Sequence, residues 1–131
     1  MIFVDSNVPM YLVGAPHPNK DRAAAALVRL KGDSEEFVTD VEVYQEILHR
    51  YSSLGRLNFI DKAFSTLDEI VYNVLSFGMA EIHEARDVIR LVNGIPAKDA
   101  IHVAVMRRAG ITRILSYDTD FDAIPGIERV A

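Results

Sequence analysis

Ile2-Phe3-Val4-Asp5-Ser6-Asn7 opens the chain, and its reading decides the fold. Three apolar residues followed by an acid and two helix-capping residue types describe a short strand that hands over at once to a helix. The same handover recurs along the sequence. Glu36 to Thr39 reads as a second strand, Val74 to Phe77 as a third, Arg113 to Tyr117 as a fourth, and the tail around Ile127 to Val130 as a fifth. Between them, Asp21 to Lys31 is Ala-rich and helical, and Leu57, Ile60, Phe64, Leu67 and Val71 repeat at helical spacing. Ala80 to Val92 forms a further helix, and Pro96 opens another, where its missing N–H costs nothing. Thr39-Asp40-Val41-Glu42 matches a capping box, with Thr39 as the cap and Glu42 reaching back. The helix that follows is expected to bury Val41, Tyr44, Ile47, Leu48 and Tyr51. Strands alternating with helices predict an α/β fold. The expectation is one three-layer domain over residues 1–131, with a mostly parallel central sheet of four to five strands and helices on both faces.

Composition narrows the function classes. At 131 residues the chain is long enough to bury a core by itself. No apolar run approaches the roughly 18 residues that cross a bilayer, and Asp5 interrupts the apolar N-terminus, so neither a membrane span nor a signal peptide is expected. The absence of cysteine excludes disulfides and thiolate zinc sites and fits a cytoplasmic protein. A formal net charge of −5 argues against broad, non-specific nucleic-acid binding. It leaves room for a nuclease whose acids are committed to metal.

Four carboxylates carry the chemistry. Asp5, Glu46, Asp99 and Asp118 sit where strands give way to helices or early in the helices that follow. Ligands of open α/β sheets bind beyond the carboxyl ends of the strands, and Asp5 and Asp118 fall there directly. Acids gathered at such an edge repel one another unless a cation separates them. Mg²⁺ or Mn²⁺, hard ions that prefer oxygen ligands, fit that role.

Each acid also has a plainer reading. Asp5 is one of three consecutive capping residue types, which makes it the dispensable cap. Glu46 has Arg50 four residues on, a stabilising spacing on an exposed helix. Asp99 complements a helix dipole, but its small apolar neighbours Ala97, Ala100, Ile101 and Ala104 put it at the margin of a buried face, where an acid needs a partner. Asp118, Asp120 and Asp122 are all turn formers. Among the histidines, His102 shares a helix face with Asp99, and a packed or solvated role is expected ahead of metal ligation. There is no nucleophile elbow, no Gly-rich phosphate loop and no His-Glu-x-x-His.

With these residues laid out, the chain resembles the PIN-domain family, and within it the VapC-type toxins of toxin–antitoxin pairs. The opening Ile2 to Asn7 is similar to that family's strand followed by Asp-Ser/Thr-Asn/Ser. Val38-Thr39-Asp40 through Tyr44-Gln45-Glu46-Ile47 resembles its second acidic motif, Ala97-Lys98-Asp99-Ala100-Ile101-His102 its third, and Ile114 to Asp122 its fourth. Either Asp118 or Asp120 fits the last acid, with Asp118 preferred. The resemblance implies a Mg²⁺- or Mn²⁺-dependent endoribonuclease held in check by a small antitoxin protein. Asp5 and Asp99 would be primary ligands, Asp118 would complete the shell, and Glu46 would bind a second ion or orient water. Lys98 and Arg50 are the candidate RNA-steering cations. The apolar stripe from Leu57 to Val71, widened by Ala63 and Ile70, is either core or the groove for an antitoxin helix, and a homodimer is expected. Two alternatives stand beside this reading. One is a receiver-like phospho-acceptor domain, which would need an adjacent acid pair after the first strand and a lysine after a late one. The other is a non-catalytic PIN-like binding module.

Overall fold

A computed structural model describes residues 1–131. Five strands, β1 (Ile2–Val4), β2 (Phe37–Asp40), β3 (Asn73–Leu75), β4 (Arg113–Leu115) and β5 (Glu128–Val130), form one sheet in the order β3-β2-β1-β4-β5. Every pairing is parallel, so the sheet is wholly rather than mostly so. Six helices connect the strands: α1 (Asn7–Val13), α2 (Pro18–Gly32), α3 (Val41–Ser53), α4 (Asn58–Ile70), α5 (Met79–Leu91) and α6 (Ala97–Arg108). The layers are those the alternation predicts. α1, α2 and α4 pack together, α5 pairs with α6, and α3 touches both α4 and α6. No helix is long and apolar enough to cross a membrane.

β1 is central and inaccessible, which explains its unbroken apolar reading: a strand covered on both faces has no polar side to alternate with. The strand order reverses between β1 and β4, because the chain moves outward through β2 and β3 and then returns to the other side of β1. The carboxyl ends of β1 and β4 therefore flank a crevice of the kind where ligands bind. Asp5 follows β1 there, its backbone N–H donating to the Leu115 carbonyl at 3.1 Å.

Three local expectations are corrected. Asp40, not Thr39, caps α3, its Oδ1 accepting from the Val43 N–H at 3.0 Å. Thr39 instead donates its hydroxyl to the Val4 carbonyl at 2.8 Å, tying β2 to the end of β1. No capping box with Glu42 forms. Second, α3 buries Val43, Glu46, Ile47 and Tyr51, whereas Val41 and Leu48 stay exposed and Tyr44 is half-buried. The inward face is rotated from the apolar reading because it includes a carboxylate. Third, the α4 stripe is split: Ala63 and Leu67 are core, Ile60, Phe64 and Ile70 are half-buried, and Leu57 is exposed. Phe64 is engaged by Tyr44 of α3 in an edge-to-face contact with centroids 4.9 Å apart, so the α3–α4 hairpin leaves less apolar surface uncovered than the sequence suggests.

Candidate metal centre

Asp5 is fully desolvated yet caps nothing. Its Oδ1 accepts from the Ser6 N–H at 2.8 Å, and its Oδ2 from the Ser116 hydroxyl at 2.6 Å and the Asn7 amide at 3.4 Å. Ser116, one residue past β4, also accepts from Asn7 Nδ2 and from the Asp118 N–H. A small polar lattice therefore joins the ends of β1 and β4. Burial raises the Asp5 carboxyl above its ordinary range; the charge of His102 and the Ser116 hydrogen bond oppose this but do not cancel it.

Asp99 lies in the first turn of α6 and is inaccessible. Its Oδ1 meets the Lys98 ammonium at 3.0 Å, while its Oδ2 is buried without a partner. Desolvation, partly offset by Lys98 and reinforced by repulsion from Asp5, lifts the Asp99 carboxyl to about 7. Asp118 is half-buried and starts a short 3-10 turn (Thr119–Ala123) by accepting the Asp120 N–H at 2.9 Å. Asp99, Asp118 and Asp120 each place a carboxylate oxygen within 4.8 Å of the others.

Glu46 belongs to a second group, in which Asp5, Glu46 and His102 bring one ligand-type atom each within 4.8 Å of the others. The i,i+4 pairing of Glu46 with Arg50 is not formed. Glu46 turns inward, its Oε1 2.9 Å from His102 Nε2 and 3.7 Å from the Lys98 ammonium, and its Oε2 buried without a hydrogen-bond partner. Burial works to raise Glu46, but the hydrogen bond and charge of His102, with Ser6 and Lys98, outweigh it and hold the carboxyl low. Lys98 bridges the two groups, touching Glu46 on one side and Asp99 on the other. Desolvation disfavours its charge, yet these acids raise its pKa above the ordinary lysine value. The four acids expected from sequence thus lie in two adjoining clusters joined by an ammonium. Arg50 takes no part in these contacts.

His102 is packed, as the sequence reading expects, but its pairing with Asp40, which that reading places only within a capping stretch, is not anticipated there. His102 is fully buried on α6, its ring against Phe3 with centroids 5.2 Å apart. Its Nδ1 lies 2.7 Å from Asp40 Oδ2 and its Nε2 2.9 Å from Glu46 Oε1. A carboxylate thus engages each ring nitrogen. Burial alone would lower the imidazole, but Asp40 and Glu46 override it and raise its pKa well above the ordinary value. The ring is therefore a bridge between two buried acids, with both of its nitrogens already engaged. The oxygen donors fit a hard divalent ion: Asp5, Asp118 or Asp120, Asp99 through its buried Oδ2 and Glu46 through its buried Oε2, neither of which has a hydrogen-bond partner of good geometry.

Comparison with known proteins identifies the family and the fold. Residues 2–127 match the PIN domain family. Ribonuclease VapC13 of Mycobacterium tuberculosis is 45% identical over 131 residues, covering 100% of both chains. Among solved structures, the VapC20 toxin of Mycobacterium tuberculosis, described as cleaving the sarcin-ricin loop, superposes with a TM-score of 0.71 at 24% identity, over 94% of each chain. VapBC2 from Rickettsia felis, solved bound to a DNA fragment from its promoter, gives a TM-score of 0.75 at 12% identity, over 99% of this chain and 98% of that one. At such identities the two structures speak to the fold alone.

Proposed function

The chain belongs to the PIN-domain family of VapC-type proteins, and from that premise we propose that it is a divalent-metal-dependent endoribonuclease acting as the toxin of a toxin–antitoxin pair. The observation that carries the reading is the pair of buried, unpartnered carboxylate oxygens, Asp99 Oδ2 and Glu46 Oε2, beside Asp5 at the sheet's reversal point. An uncompensated buried acceptor is costly, and a cation relieves both. Support for RNA as substrate comes from the ribonuclease that this chain matches end to end.

Asp5, Asp99 and Asp118 or Asp120 would hold Mg²⁺ or Mn²⁺, with Glu46 presenting its free oxygen from the other side. When bound, such an ion lowers the pKa of coordinated water and offsets charge on the phosphate oxygens. Ser116 and Asn7 fix Asp5 in one orientation, so little rearrangement is needed on loading. Lys98, with its side chain 43% exposed, is a cation able to meet a phosphate while keeping contact with the acids. The test is incubation of the purified protein with total RNA, with Mg²⁺ or Mn²⁺ and then with EDTA. Cleavage that requires the ion supports the reading. Metal binding without cleavage favours a non-catalytic binding module instead.

The charge states of the acids make loading depend on pH. A carboxyl raised to about 7 in the folded protein favours the protonated native state; the stability this contributes is complete below the unfolded value and is lost as pH rises through about 7. The ion binds the deprotonated form and must displace that proton. The Mg²⁺-induced rise in melting temperature should therefore grow as pH increases through neutrality and level off above it. A rise that is the same from acid to alkaline pH would remove Asp99 from the ligand set.

The proposal extends to a cytoplasmic toxin that forms homodimers and is neutralised by a small partner protein. Exposed apolar side chains on the α3–α4 hairpin, Leu48 at 44%, Leu54 at 51% and Leu57 at 64%, supply the contact surface. Because Leu57 is exposed where Phe64 is packed, Leu57→Asp is the cleaner probe. It should weaken partner binding about 10-fold or more while leaving the melting temperature within a few degrees of wild type. Unchanged binding in pull-down or calorimetry would place the partner elsewhere.

A further inference from the structure

Resting on the metal-centre reading, we infer that His102, anchored by Asp40, is a positioning residue that aims Glu46 at the ion by occupying one carboxylate oxygen and leaving the other free. The hydrogen bonds run in one line. The Val43 N–H at the start of α3 holds Asp40 Oδ1 at 3.0 Å. The other oxygen of Asp40 holds His102 Nδ1 at 2.7 Å, and His102 Nε2 holds Glu46 Oε1 at 2.9 Å. Lys98 approaches the same Oε1 at 3.7 Å. His102 and Lys98 thus engage one oxygen, and Oε2 is the atom left without a hydrogen-bond partner though buried.

Every member of the line is fixed by something else. Asp40 ends β2, where it is in register with Leu75 of β3. The His102 ring packs on Phe3 of the central strand, and His102 follows Asp99 by one helical turn. A shift in the ring would therefore be felt by ligands on two helices. A glutamate has three rotatable bonds between backbone and carboxylate. Holding one oxygen removes most of that freedom before the ion arrives, and groups that orient a ligand in this way typically change metal affinity about 10- to 100-fold when removed. The competing account is that His102 only neutralises Asp40 and Glu46 within the core. That account predicts lost stability but no specific coupling to the ion.

A double-mutant cycle on Mn²⁺ affinity separates the two. The full chain is measured by calorimetry as wild type, His102→Gln, Glu46→Gln and the double variant, each checked for folding by circular dichroism. His102→Gln is expected to weaken Mn²⁺ binding about 10-fold or more and to have less than about a 2-fold further effect once Glu46 is already Gln. Asp40→Asn keeps the cap on Val43 and should show the same pattern more weakly; it carries the test if His102→Gln does not fold. Wild-type affinity in folded His102→Gln, or single effects that multiply in the double variant, would overturn the inference while leaving the metal centre standing. A wild type that binds no Mn²⁺ would remove both.

Discussion

Asp99→Asn is expected to lower metal-dependent RNA cleavage by at least about 100- to 1,000-fold, the range for losing one preorganised electrostatic contact at a reacting centre, with little loss of fold. The substitution preserves size and keeps an oxygen for Lys98, but deletes the negative charge whose second oxygen is buried without a partner. Stability should hold or rise without metal, because a carboxyl that is costly to ionise is replaced by a neutral amide. The result to look for is a pair of opposed changes: activity falls while the metal-free melting temperature does not. Mg²⁺ should then cease to raise the melting temperature. Expression of the variant in a host should relieve the growth arrest that the proposed toxin causes. An Asp99→Asn protein that is folded, cleaves RNA normally and still responds to Mg²⁺ would dismantle the site as described.

His102→Ala should produce the opposite pairing, a large loss of stability that precedes any question of catalysis. Removing the cation leaves Asp40 and Glu46 buried and facing each other across an empty volume, and breaking a buried ion pair on one side typically costs about 3–5 kcal/mol. For a domain of this size that corresponds to a fall of roughly 10–20 °C in melting temperature. The pH dependence follows from the raised imidazole. Its contribution is fully present below the ordinary histidine value and is lost as pH rises through the higher folded one. The stability gap between wild type and variant should therefore be widest from mildly acid to neutral pH, narrow at distinctly alkaline pH as the imidazole loses its proton, and narrow again in strong acid as Glu46 is protonated. A gap that closes at neutrality would mean that the ring is neutral in the native protein.

The sequence made the frame legible because the frame rests on patterns local to a few residues. A doubly covered strand such as Ile2–Val4 needs consecutive apolar residues, and the acid that follows marks its end. Asp5 and Asp118 were legible as candidates for the same reason, each following an apolar strand; Asp99 opens a helix that follows another helix, and Glu46 lies in the second turn of α3. Asp40 and His102 were not legible in this way, because their importance lies in a contact between residues 62 apart that no periodicity encodes. A partial signal was present. α6 buries Ala100, Val103, Ala104, Val105 and Met106 around His102, and a histidine with apolar neighbours on every side has no solvated face to occupy, so it must be paired. The shifted cap at Thr39 has a related cause. Thr and Asp cap equally well in a local reading, and only the Val4 carbonyl, supplied by another strand, decides which side chain is free to do so.

The place of β1 in the sheet has a consequence for the order in which the candidate site is assembled. β1 stands at the middle of the sheet, yet one of its two neighbours, β4, follows it in the chain only after β2, β3 and all six helices. Asp5 is oriented by the Leu115 carbonyl and the Ser116 hydroxyl, so a nascent chain carrying Asp5, Glu46 and Asp99 still lacks the groups that set the first of them. Contacts between such distant parts of a chain form late. The proposed metal site would therefore be completed only when β4 docks against β1.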